Sequence, residues 1–201
     1  LTFSADGKTL ISVGADQNIL VWDATSRAAA VKPAKADGKI LERCWTDLGH
    51  DDPSIAFQAM GNMIDLPAEA VALLDKKLLP VPPVETAVID KLIGELDSES
   101  FAVREKASKD LVKLEGQARQ ALEAALAKPP SAEVQSRAKK LLEGLDAPLL
   151  APAELRIVRA VEALERIGTA EARALLARLA KGAPGARLTV EAHAAHARLT
   201  N

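Results

Sequence analysis

Two histidines near the end of the chain have the spacing best suited to metal binding. His193 and His196 stand three positions apart, so on a helix both imidazoles could reach one metal ion. Glu191 is the nearest further ligand, but it lies somewhat off that helix face. Because nothing else in the sequence offers a third ligand at a recognisable spacing, we expect a solvated helix face and predict no metal site.

Acidic residues suggest acid–base chemistry at two further places. The run His50–Asp52 falls between two predicted helices, where either aspartate would cap the second helix and the histidine would complement the dipole of the first. Glu162 and Glu165 form an acidic pair, but they lie beside Arg159 and Arg166 on a predicted helix. Helix caps and a solvated charged face are therefore the interpretation we adopt.

Cys44 is the only cysteine, and it precedes Trp45 in an apolar helical pattern. This context favours a small buried side chain, since a nucleophilic thiol would need a histidine and an orienting group beside it. The sequence also lacks a phosphate-binding glycine-rich loop, a Gly-x-Ser-x-Gly turn and a His-Glu-x-x-His motif. It therefore predicts no catalytic residue and no cofactor.

The amino-acid composition restricts the classes of partner that the chain can bind. Twenty-six Lys and Arg against 28 Asp and Glu give a net charge of −2, which argues against binding of nucleic acid. No run approaches the roughly 18 apolar residues of a membrane span. One cysteine cannot form an internal disulfide, so a reducing compartment such as the cytoplasm is favoured. The partners we expect are proteins.

The first stretch of the chain, "FSADGKTLISVGADQNILVWD", has the pattern of three antiparallel strands. Asp6-Gly7 predicts a tight hairpin turn between Leu1–Phe3 and Thr9–Val13, and a second turn leads into Ile19–Trp22. That last strand is apolar at every position. A strand of this kind needs cover on both faces of its sheet.

This stretch resembles one blade of a WD-repeat β-propeller, with Trp22-Asp23 closing the third strand. The resemblance implies a buried hydrogen-bonded set of Ser12, Asp16 and Trp22 with a histidine from the preceding loop. It implies further that residues 1–30 are the last blade of an incomplete propeller, whose remaining blades lie upstream. A three-stranded sheet that serves the helices is the alternative.

Helical periodicity begins after a linker at residues 31–37. Apolar positions then repeat about every 3.6 residues and predict a three-helix segment over 38–80. The proline-rich run "LPVPPVET", residues 79–86, cannot continue a helix, so we place a boundary there.

A recurring element marks the remainder, residues 86–201. The pattern Ala-x-x-x-Leu-x-x-Leu starts at Ala107 and returns, with Ile in its last position once, at Ala138 and Ala160. Recurrence of one small and two large residues is typical of stacked helical hairpins. The region resembles HEAT-like repeats, and Asp97 and Arg104 match the repeat positions that usually brace neighbouring hairpins. We carry over that structural role only.

The sequence thus predicts a mainly α protein, in which a HEAT-like helical repeat domain follows a short antiparallel β fragment. The whole resembles the C-terminal part of WD-repeat proteins from planctomycete-type bacteria. That resemblance implies a non-catalytic scaffold for protein–protein interaction. One alternative is the sensor end of a regulatory protein whose Ser/Thr kinase or sigma-factor activity lies upstream, and another is an enzyme with its site in the helical domain.

Overall fold

The computed structural model describes residues 2–4, 9–13, 19–23, 38–146 and 151–200. These residues confirm the predicted class, mainly α with a short antiparallel β fragment. The chain divides into two compact units, Leu1–Asp37 and Gly38–Asn201.

The first unit contains a three-stranded antiparallel sheet in the order β1-β2-β3. The strands are β1 (Thr2–Phe3), β2 (Thr9–Val13) and β3 (Ile19–Asp23), and Ile11 lies opposite Val21. The hydrogen-bonded set predicted for Ser12, Asp16 and Trp22 depends on Asp16, which lies outside the described residues, as do both predicted turns and the linker. The backbones of Trp22 and Asp23 pair with Leu10 and Thr9.

The described part of the second unit contains ten α-helices. They are α1 (Gly38–Asp47), α2 (Pro53–Asp65), α3 (Pro67–Lys77), α4 (Thr86–Glu95), α5 (Phe101–Lys113), α6 (Arg119–Ala127), α7 (Ala132–Leu145), α8 (Pro152–Ile167), α9 (Ala170–Leu179) and α10 (Arg187–Thr200). A 3₁₀ turn, Glu115–Ala118, joins α5 to α6. None of the described helices is both long and apolar enough to cross a membrane.

Local capping explains where several helices begin. Asp52 accepts a hydrogen bond from the amide of Ser54 at 2.8 Å, and Ser131 and Thr169 accept from amides in the first turns of α7 and α9. These oxygens satisfy amides that have no partner inside the helix. Of the two aspartates predicted to cap the second helix, Asp52 is the one that does so.

Two hydrophobic cores organise the helices. The first unites α1–α3 with α8–α10, and its fully buried side chains include Leu48, Met63, Leu74, Leu164, Leu176 and Leu179. The second lies among α4–α7, which form two helical hairpins stacked with α4 against α6 and α5 against α7. Buried in this second core are Leu96, Ala107, Leu111, Leu122, Val134 and Ala138.

The boundary predicted at residues 79–86 falls inside one compact unit. Helices of the 38–80 segment share their core with α8–α10, so the chain crosses to α4–α7 and then returns. The physical reason is that three short helices bury too little apolar surface alone, and α2 packs its apolar face on α8.

Candidate functional site

A concave groove lies between α3 and α9, with a volume of about 710 Å³. α3 contributes residues from Pro67 to Asp75, and α9 contributes residues from Glu171 to Arg178. Asp75 and Arg178 form an ion pair, so the last turns of both helices lie at the same end of the groove. The residues that line it are Pro67, Ala68, Val71, Ala72, Asp75, Thr169, Glu171, Ala174, Leu175 and Arg178.

The groove has an apolar floor and small walls. Val71 and Leu175 belong to the first core and form the floor, while Ala68, Ala72 and Ala174 are exposed along its sides. Methyl groups occupy little space, so the two helices leave room above the floor. An apolar concavity of this size is suited to the burial of a ligand's side chains.

Charged groups mark the two ends of the groove. Near the ends of α3 and α9, Arg178 Nη2 lies 2.5 Å from Asp75 Oδ1, and this half-exposed ion pair joins the two helices. At the other end, Glu171 is exposed in the first turn of α9 and makes no hydrogen bond or ion pair within the described residues. The groove therefore carries one unpaired negative charge.

The histidines lie away from this groove. His193 is exposed on α10 and His196 is half-buried. Across residues 2–4, 9–13, 19–23, 38–146 and 151–200, no group of three or more His, Cys, Asp or Glu is placed to hold a metal ion. His50 Nδ1 accepts a hydrogen bond from the Asp52 amide at 2.9 Å, and its carbonyl accepts one from Arg159 at 2.8 Å. These contacts fix the connection between α1 and α2.

The environment of Cys44 disfavours nucleophilic chemistry. The side chain is buried in the first core, and the Asn62 amide donates to its sulfur at 3.8 Å. Burial is the main cause that raises the pKa of the Cys44 thiol, against a smaller lowering by Asn62. A raised pKa keeps the sulfur protonated at neutral pH, and the thiolate is the reactive form.

Asp97 and Arg104 both contact the hairpin that follows their own. Asp97 accepts a hydrogen bond from the hydroxyl of Ser131, the residue that caps α7. Arg104 Nε donates to Glu133 on α7 at 3.0 Å, and its Nη1 donates to the carbonyl of Ser98 at 2.7 Å. Each residue therefore links the α4–α5 hairpin to the α6–α7 hairpin.

Sequence reasoning missed the arginine at the centre of the same interface. Arg137 donates to Glu133 at 2.7 Å and to Glu105 at 2.8 Å, and its side chain is only 17% exposed. The hydrogen bonds from Arg137 are the main cause that lowers the pKa of both carboxyls. A signal was present, because Arg137 and Arg159 each stand directly before the repeated alanine. Arg159 likewise joins separate elements, since it donates from α8 to the carbonyls of Leu48 and His50 in the connection between α1 and α2.

No family model, curated protein or solved structure matches this chain. The fold and the site therefore define its class, an α-helical protein that contains stacked helical hairpins and an apolar groove. None of Cys44, His50, His193 and His196 lines that groove.

Proposed function

We propose that this chain is a non-catalytic scaffold for protein–protein interaction. The observation that carries the proposal is the α3–α9 groove, in which exposed alanines stand over a floor of Val71 and Leu175. A surface of this kind offers apolar area that a partner can bury, and burial of apolar area is the main favourable term in protein association.

Rigidity of the framework supports the same proposal. Arg104 of α5 donates to Glu133 of α7, and Arg137 of α7 donates to Glu105 of α5, so two ion pairs connect the stacked hairpins. Stacked hairpins present extended binding surfaces, and a surface ordered beforehand loses less entropy when it binds. We propose that these hairpins are HEAT-like repeats.

We further propose that the β-strands belong to the last blade of a WD-repeat propeller. Val13 lies opposite Ile19, and Val21 follows Ile19 by two positions, so the three side chains share one face of the sheet. Each is about two-thirds exposed, at 66%, 66% and 67%. Apolar sheet faces of this kind normally pack on other elements. Within the 201-residue chain alone, the amides of Ile19–Trp22 should exchange with solvent much faster than those of α8 and α9. Slow exchange at Ile19–Trp22 would overturn the assignment.

Peptide selection on the immobilised chain tests the interaction function. The probe is a phage-displayed library of random peptides, counter-selected against the variant Ala174→Arg, whose long side chain fills the groove. The matched control is Ala124→Arg, a likewise exposed helical position on α6 that does not line the groove. Circular dichroism spectra of both variants are compared with that of the parent chain, to check that each keeps the helical fold.

We expect peptides that bind the parent chain and Ala124→Arg equally and lose at least about tenfold in affinity for Ala174→Arg, a loss of about 1.4 kcal/mol. Failure to enrich any peptide, or enriched peptides that bind all three proteins alike, would refute an interaction site in the groove.

A further inference from the structure

We propose that the α3–α9 groove binds a peptide segment that buries one large apolar side chain and places a Lys or Arg beside Glu171. This inference rests on the proposed interaction function and deepens it by stating the chemistry of the partner.

The shape of the groove favours a partner that brings a large apolar side chain. Its walls are alanines, so the side chains of α3 and α9 leave the space above Val71 and Leu175 unfilled. The volume of about 710 Å³ lies within the roughly 300–1,000 Å³ of pockets that take small ligands. Such a space accommodates one or two large side chains of a segment, and a folded domain would rest only on its rim.

The charges of the groove select a cation. Asp75 and Arg178 neutralise each other in an ion pair, with 2.5 Å between Arg178 Nη2 and Asp75 Oδ1, so neither needs a charged group from the ligand. Glu171 is the remaining charged residue of the lining, and it is unpaired within the described residues. A positive side chain complements this charge, and charge complementarity at a rim fixes the orientation of a ligand more than its affinity.

Helix geometry also gives the spacing of the two features in the partner. Ala174 and Leu175 follow Glu171 by three and four residues on α9, which is about 5 Å along a helix axis. The basic side chain and the apolar anchor must therefore lie about 5 Å apart. Neighbouring turns of a helix, or positions two apart in an extended strand at about 6–7 Å, meet this requirement.

Charge reversal on the full chain tests the proposal. A selected peptide carrying a fluorophore is titrated by anisotropy against the parent chain, Glu171→Gln and Glu171→Lys. The control is Glu69→Lys, because Glu69 is likewise exposed in the first turn of a helix, α3, but does not line the groove. It reproduces the change in net charge and the unfavourable interaction with the helix dipole.

We expect Glu171→Lys to weaken the peptide about tenfold and Glu171→Gln about threefold, while Glu69→Lys changes affinity by less than about twofold. A peptide in which the basic residue is replaced by Glu should recover affinity for Glu171→Lys. Binding should weaken with added salt for the parent chain.

Other outcomes separate this inference from the proposed function. Peptides that lose affinity for Ala174→Arg but bind Glu171→Lys as well as the parent would overturn the cation requirement and leave the interaction function standing. Equal losses for Glu171→Lys and Glu69→Lys would overturn it too, since binding would then follow overall charge. Dimerisation of the chain that Ala174→Arg abolishes would assign the groove to a second copy instead.

Discussion

The side-chain carboxylate of Glu115 accepts a hydrogen bond from the backbone amide of Arg187 at 2.6 Å, across 72 positions of sequence. Glu115 begins the 3₁₀ turn after α5, beside the second core, and Arg187 begins α10 in the first. The amide at the start of a helix has no intrahelical partner and favours a negative charge. This bond therefore links the two cores.

Removal of the Glu115 carboxylate should weaken that link. Glu115 has a φ of +51°, an unfavourable conformation for any residue with a side chain, so Ala and Gln replacements retain that cost. We expect Glu115→Ala to lower the free energy of unfolding by about 1–2 kcal/mol in urea titrations. Glu115→Gln keeps an acceptor oxygen and should lose less than half as much; equal losses for the two would contradict the hydrogen-bond explanation.

Two glycines beside this link allow the cores to approach. A Cβ atom on Gly116 would collide with the carbonyl oxygen of Gly185, and one on Gly185 would lie 2.6 Å from the carbonyl carbon of Gly116. We expect Gly116→Ala to lower the free energy of unfolding by about 1–3 kcal/mol, measured by urea titration. Gly185→Ala should cost more, since Gly185 also has a φ of +84°.

A helical glycine without neighbours provides the control for this contact. Among the described residues, and apart from the backbone of its own helix, no atom lies within 4 Å of a Cβ built on Gly144, so Gly144→Ala should stabilise α7 by up to about 1 kcal/mol. If Gly116→Ala were as stable as the parent chain, the close approach of the two backbones would be wrong.

Local patterns predicted much of the fold. The alanine and the first leucine of the recurring element are buried in all three copies, starting at Ala107, Ala138 and Ala160. Periodicity identifies the apolar face of a helix but not the helix on which that face packs. For this reason the sequence did not indicate that α2 packs on α8, or that α1–α3 and α8–α10 share one core.

The groove could not be predicted from the sequence for a related reason. Asp75 and Arg178 are about a hundred residues apart, and exposed alanines on α3 and α9 resemble ordinary helix surface. Asp97 and Arg104 were singled out because they follow a repeat pattern. Their partners on the next hairpin could not be predicted, because they depend on how the hairpins stack. Ser131 donates to Asp97, and Glu133 accepts from Arg104.

Replacement of Thr189 should raise the free energy of unfolding, whereas the replacements at Glu115, Gly116 and Gly185 should lower it. Its side chain is 7% exposed on α10, and its hydroxyl has no hydrogen-bond partner within the described residues. A buried, unpaired hydroxyl is unfavourable, and Val has nearly the same shape without it. We expect Thr189→Val to raise the free energy of unfolding by about 1 kcal/mol in urea titrations.

The control for Thr189 is Thr46, which is exposed on α1 and donates to the carbonyl of Glu42 at 3.3 Å. Thr46→Val should change stability by less than about 0.5 kcal/mol. A loss of stability in Thr189→Val would show that the native hydroxyl is hydrogen-bonded after all.

The Arg137 network predicts how stability depends on pH. Glu105 and Glu133 have pKa values lowered in the folded chain, chiefly by hydrogen bonds from Arg137. Their stabilising contribution is present above the unfolded-chain pKa of about 4.3 and is lost as pH falls through the lowered folded pKa. We therefore expect Arg137→Met to destabilise the chain by a constant amount between about pH 6 and pH 8, and by progressively less below about pH 4.3.

Urea titrations of the parent chain and Arg137→Met across this pH range measure the difference directly. Arg43→Met is the control. The Arg43 side chain is 85% exposed, and its Nε lies 3.5 Å from Asp47 Oδ2. Because such an exposed ion pair contributes little, its removal should change the free energy of unfolding little at any pH. The difference for Arg137→Met must shrink at low pH because protonated carboxyls no longer bind the guanidinium as anions. A difference that stayed constant into acid would mean that Arg137 acts through packing between α5 and α7 rather than through its two carboxylates.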